Sequence, residues 1–251
     1  MMSAARPLPI RLRDIVAGEV TKLVTSPYTL IMVMVATCAN LALAVVAASG
    51  VGFYTQPDQI EPVSVSSFGM VMFAPVYAFL ALPVYAAAGE YRGEQIRMTL
   101  LAVPNRRALM AGKTAGMLAV VVVATAIAVI PARLIIDIPA DLGVSGALLD
   151  IARWAAVYLL MSAIAFGLAG LLRSAIAAIG ILIAVPVVVG TGILQWPQVL
   201  RLLPDQAALS LLGTPGYDVT ALPPAVAAAT LVIWAGLCLT AYALALWRRD
   251  T

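Results

Sequence analysis

The sequence predicts an all-α integral membrane protein. Six transmembrane helices, an N-terminal amphipathic interfacial helix and a short cytoplasmic helix between the second and third spans are expected, with both termini cytoplasmic. Three observations lead there. Of 251 residues, 63% are hydrophobic and 11% charged, with a mean hydropathy of +1.03; soluble domains carry roughly 25% charged side chains. A soluble core of this size has no room for so much apolar surface, because surface-to-volume scaling limits what is buried. The apolar residues also fall into six runs near the roughly 20 residues that a helix needs to cross the hydrocarbon layer. Finally, Lys and Arg gather at alternate connections.

Residues 1–27 form a cytoplasmic tail and the interfacial helix. The first 25 residues carry charges throughout and lack an apolar run, so a cleaved leader is not expected. Leu12, Ile15, Val16, Val20 and Leu23 recur on one face at about 100° per residue. Arg11, Asp14, Thr21 and Lys22 fall on the other. Such a helix lies along the inner membrane surface with its cations toward anionic headgroups. Glu19 sits in the middle of the apolar stripe. Two readings are open: a shallow carboxylate that reaches solvent, or an ion pair with a cytoplasmic arginine, Arg92 or Arg97.

The membrane domain occupies residues 28–251. Its spans are Tyr28–Val51, Phe68–Ala88, Thr114–Ile135, Ile151–Leu172, Ala175–Leu194 and Ala225–Trp247. Pro75, Pro83, Pro131 and Pro186 lie inside spans, which tolerate proline but kink there. Only Arg173 and Ser174 separate the fourth and fifth spans, which predicts a tight hairpin. The outer segment 195–224 holds Trp196, several prolines and the apolar run Ala207–Leu212, which predicts short re-entrant or surface-lying helices. With the N-terminus inside, Arg6, Arg11, Arg13, Lys22, Arg92, Arg97, Arg106, Arg107, Lys113, Arg173, Arg248 and Arg249 are cytoplasmic. Only Arg133, Arg153 and Arg201 are then outside, as the positive-inside rule requires. The excess of Arg over Lys fits GC-rich coding and a bacterial inner membrane.

Several chemistries are excluded. There is no histidine, so histidine catalysis and metal ligation are out. Cys38 and Cys238 lie in apolar runs without C-x-x-C spacing and read as buried structural residues. Gly112-Lys113-Thr114 lacks the earlier glycine of a phosphate loop, because Arg107 stands there. Gly143-Val144-Ser145-Gly146 fails as a hydrolase elbow at Ala147. No enzyme activity, cofactor or nucleic-acid partner is therefore expected of this chain. No carboxylate falls near the middle of a span, which argues against proton-coupled carriage. Arg133/Asp137 and Asp150/Arg153 have helical spacing and read as local pairs at helix ends, or else face a substrate. Trp234 lies deeper than the interfacial aromatics and reads as facing a subunit seam. Ala163, Gly167, Gly170 and Gly180 allow close helix packing.

The loop 89–113 is the informative one. It begins Gly89-Glu90-Tyr91-Arg92-Gly93-Glu94-Gln95, continues Ile96-Arg97-Met98-Thr99-Leu100-Leu101, and reaches the membrane through Pro104-Asn105-Arg106-Arg107. By composition it is a charged start, a short helix and a turn, which is also what an ordinary positive-inside loop looks like. Ile96, Met98, Leu100 and Leu101 are apolar knobs suited to a groove on a partner. Glu90 and Glu94 pair on this reading with Arg92 and Arg97.

These residues resemble the corresponding loop of type-2 ABC transporter permeases. Glu19-Val20-Thr21-Lys22-Leu23 is similar to the E-x-x-K stretch that opens many of them, and Glu90 and Arg92 match the family's acidic–basic pair. The resemblance implies that the loop holds the coupling helix, docking at Met98–Val103 on a separate ATPase subunit that binds ATP and Mg. It implies that the interfacial helix packs beside that loop. It further implies a permease subunit of an ATP-driven exporter, with a second copy or a related permease completing the pathway. The cargo would be amphiphilic: a drug, antibiotic, peptide or lipid-linked molecule. Two other classes stay open, a non-transporting membrane partner (a sensor, or an immunity or assembly factor) and a secondary transporter.

Overall fold

A computed structural model describes residues 10–53, 63–65, 68–138, 140, 142–193, 196–214 and 220–248, without the side chains of residues 53, 93 and 94. The expectations for Arg6, Arg249, residues 194–195 and the side chain of Glu94 lie outside the described residues.

The described chain is nearly all helix. In order it runs α1 (Leu12–Val24), α2 (Pro27–Ala48), α3 (Gly69–Ala88), a 3-10 turn (Gly89–Glu94), α4 (Gln95–Ala102), α5 (Arg106–Asp137) and α6 (Gly143–Leu172). It continues α7 (Ala175–Gly190), α8 (Pro197–Leu200), α9 (Pro204–Leu212) and α10 (Pro224–Arg248). Two short antiparallel strands, β1 (Gly52–Phe53) and β2 (Val63–Ser64), pair Gly52 with Ser64 and Phe53 with Val63. Five helices, α2, α3, α5, α6 and α10, are long and apolar enough to cross a membrane. The fifth predicted span is α7, whose 16 residues extend about 24 Å at 1.5 Å per residue, short of the ~30 Å hydrocarbon layer.

Burial orders the bundle. The apolar windows of α3 and α6 are each 61% buried, against 17% for α2 and 28% for α10, so α3 and α6 are the inner helices. Phe79 and Tyr158 pack edge to face between them, centroids 4.9 Å apart. The Asn40 side-chain amide of α2 donates to the Tyr158 hydroxyl at 2.8 Å and to its own Ala36 carbonyl at 2.9 Å. This satisfies polar groups that would otherwise be orphaned in an apolar layer. Gly167 and Gly170 let α10 approach α6: a Cβ at Gly167 would strike the Cys238 backbone, and one at Gly170 the Tyr242 ring. Gly180 faces open space, so it plays no such part. The cysteines are not the buried pair the sequence suggests: Cys38 is exposed on α2 and Cys238 half-buried.

Helices α3, α5 and α7 run through their internal prolines. Arg173 turns α6 into α7 with a left-handed φ of 54°, and the Ser174 hydroxyl caps α7 by accepting from Ala177 N at 3.2 Å. In the outer segment, α9 is not exposed. It packs against α10, α6 and α3 with Asp205–Leu211 buried. Burial raises the Asp205 carboxyl above its ordinary value, against a hydrogen bond from Gln206 that lowers it. Trp234 donates its indole N–H to Leu202 O of this segment at 2.8 Å, tying α10 to the turn before α9.

Two ends of the bundle are distinguished by their polar contacts. At one, Arg133 of α5 reaches Asp150 of α6 at 2.5 Å and Asp137 at 3.2 Å, with its guanidinium 5.2 Å from the Trp154 ring centroid. The Arg133/Asp137 pair is as expected, whereas Asp150 pairs across the hairpin with Arg133 instead of Arg153. At the other end, Arg106 donates to Leu246 O at 2.9 Å, holding the last carbonyls of α10 against the first turn of α5.

Candidate functional site

The end bearing Arg106 also holds the loop 89–113. Its anchor begins with two glycines on α5. A Cβ at Gly112 would strike the Ile15 side chain, and one at Gly116 would lie 2.7 Å from Glu19 Cβ. Their four-residue spacing puts both on one face, and α1 lies across it. The helix expected on the membrane surface is therefore docked on α5. Ile15 and Leu23 are buried, Val16 and Val20 half-buried, and Leu12 is exposed.

Between the two glycines stands Lys113, its side chain 1% exposed. Its ammonium lies 2.5 Å from Glu90 Oε1 and 3.3 Å from Glu19 Oε1. Lys22 lies 2.6 Å from Glu19 Oε2 and also pairs with Glu90 Oε1. These two lysines are the only ones in the chain, and both carboxylates they meet are largely buried. The cluster is electrically neutral and joins α1, α5 and the 3-10 turn. A compact ammonium on a flexible stem suits it better than a planar guanidinium would, because Glu90 Oε1 must receive two cations at once. Burial pulls the Lys22 ammonium down, but attraction from Glu90 and Glu19 outweighs it and raises the group above its ordinary range.

The next residue, Tyr91, lies under the Arg173 guanidinium at 5.3 Å from its ring centroid. Consecutive residues of one 3-10 turn are thus fixed to α1 and α5 on one side and to the α6–α7 turn on the other. From this base α4 projects. Ile96 is 5% exposed and seats the helix, while Met98 and Leu101, three residues apart on one face, are 71% and 79% exposed. Thr99 and Leu100 are half-buried; Arg92 and Arg97 are exposed. Asn105 closes the loop, its side chain accepting from Arg107 N and Ala108 N at 3.1 and 3.2 Å, a standard N-cap for α5.

Two expectations need correction. Glu19 does form an ion pair, but with Lys113 and Lys22 instead of Arg92 or Arg97. Glu90 likewise pairs with Lys22 and Lys113 instead of Arg92, whose side chain points to solvent. The physical reason is reach: the glycines bring α1 within side-chain distance of α5, and Lys113 enters between them. Sequence reasoning missed Lys113, placing it only among the cytoplasmic cations and in the failed phosphate-loop motif. The available signal was Gly112-x-x-x-Gly116 around a lysine in a chain with so few of them.

No family model matches this chain, and no curated protein matches its sequence.

Proposed function

We propose that this chain is the membrane permease subunit of an ATP-driven exporter in a bacterial inner membrane. On this reading α7 also crosses the membrane, as the fifth of six spans, both termini and the loop 89–113 are cytoplasmic, and a second permease copy completes the pathway. The observation that carries it is α4: a short helix with two fully projecting apolar side chains, Met98 and Leu101, standing on a base tied into three other elements. Exposed apolar knobs on a rigid mount suit insertion into a groove on a soluble partner. A flexible loop would absorb a push, whereas this one hands it on. Displacement of α4 moves the 3-10 turn, and the turn moves α5 through Glu90–Lys113, α1 through Lys22, and the α6–α7 turn through Tyr91–Arg173.

The partner is an ATPase that holds ATP and Mg, and the cargo an amphiphile that crosses at the permease seam. Purification in mild detergent tests the partnership. The native chain brings down a nucleotide-hydrolysing subunit, and Met98→Glu with Leu101→Glu releases it while the permease remains folded. Retention of that subunit by the double variant, or its absence from the native preparation, refutes the reading. Transport in ATP-free vesicles driven by an ion gradient would favour a secondary carrier instead.

A further inference from the structure

Beside the Arg106 clamp, an open groove of about 470 Å³ separates α5 from α10. Its walls are small or apolar: Ala111, Ala115 and Leu118 of α5 face Leu239 and Ala243 of α10. At its mouth stand Arg107 and Trp247, the guanidinium 5.5 Å from the indole centroid. No carboxylate among the described residues pairs with Arg107, and no acid lines the groove. From Arg107 to Leu118 the groove follows α5 for about 16 Å at 1.5 Å per residue, roughly the depth of one leaflet's hydrocarbon.

We propose that this groove is a binding site for an anionic phospholipid of the surrounding bilayer. An apolar channel one leaflet deep accepts an acyl chain. The cation at its mouth selects a negative headgroup, as basic pockets between membrane helices do. The Trp247 ring beside the Arg107 guanidinium accepts no conventional hydrogen bond from it, which leaves the N–H donors for phosphate oxygens. The Trp ring marks the interface depth at which that phosphate sits. A neutral lipid fits the channel but meets no anion partner for Arg107. The site needs neither the ATPase nor a cargo, so it stands or falls separately from the exporter reading.

Trp247 is a built-in reporter. The full chain is reconstituted into phosphatidylcholine vesicles containing a minor fraction of either brominated phosphatidylglycerol or brominated phosphatidylcholine. Bromine quenches indole emission at short range, and Trp247→Phe identifies the share due to Trp247. Brominated phosphatidylglycerol should act at about one-fifth the mole fraction needed of its neutral counterpart, the selectivity that one arginine confers near a membrane surface. Arg107→Gln should abolish that preference. Filling the channel with Ala111→Phe, at an exposed position that keeps Arg107, should weaken quenching by both lipids. Equal quenching by both lipids in the native chain, or a preference that survives Arg107→Gln, overturns the proposal. Failure of either lipid to quench Trp247, as when a second copy or another partner covers the groove, overturns it too.

Discussion

Lys113 is a charge with almost no access to water, held by two carboxylates from distant parts of the chain. Removing one member of such a cluster leaves an uncompensated buried charge, which costs more than the intact pairs contribute. Lys113→Met should therefore destabilise the protein by about 3–5 kcal/mol. Adding Glu90→Gln should recover part of that loss, since the remaining Glu19–Lys22 pair is neutral. Thermal unfolding of both variants in one detergent checks the sign. Lys22, by contrast, keeps a route to solvent, and its ammonium is stabilised in the folded state above the ordinary value of 10.5. Its contribution is thus complete below that value and lost only as pH rises through the higher folded one. An environment-sensitive probe at Ala17→Cys should report α1 docked throughout the neutral range and released only in strong alkali. Release near neutral pH would contradict the cluster's protonation.

At the scale of elements, α1 shows what periodicity delivers and what it leaves open. Its apolar face is legible at Ile15, Val16, Val20 and Leu23, because a 3.6-residue repeat fixes which side chains share a side. What covers that face is not encoded in the repeat. The membrane surface and the flank of α5 are equally apolar, and Gly112 and Gly116 decide between them by removing the side chains that would hold α1 away. Glu19 was the misfit in the stripe, and its buried partner resolves the misfit. Gly116→Leu should push α1 off α5, costing about 1–3 kcal/mol as overpacking does, and should expose the bond after Lys22 to trypsin. Unchanged cleavage there would mean α1 docks by another route. The α4 helix was legible as a short amphipathic element, whereas its mounting through Glu90 and Tyr91 was not, since both contacts reach outside the loop.

Across the whole molecule, the polar contacts sort the helix ends into two sets. Lys22, Glu90 and Lys113 meet at one end, where Arg106 also grips the close of α10. Arg133, Asp137 and Asp150 meet at the other. On the orientation proposed above, single cysteines at Asp14, Thr99 and Arg248, in a chain freed of Cys38 and Cys238, should react with an impermeant maleimide only in inverted membrane vesicles. A cysteine at the exposed Val51 should react only in right-side-out ones. Labelling of Thr99 and Val51 from the same side would overturn that topology.

Composition and the spacing of apolar runs were enough, by themselves, to place this chain among helical membrane proteins and to locate its long helices, though α5 and α6 begin at Arg106 and Gly143, ahead of the apolar runs at Thr114 and Ile151. Both depend on near neighbours along the chain, which every residue carries with it. The tertiary structure alone decided that α3 and α6 lie innermost, that α1 rests on α5, and that Lys113 closes a neutral cluster with Glu19 and Glu90. Lys22 meets Glu90 across 68 positions and Lys113 meets Glu19 across 94. No local pattern ties residues so far apart. Only helix packing at small side chains brings their charges within reach, and burial of Lys113, Glu19 and Glu90 then holds them together.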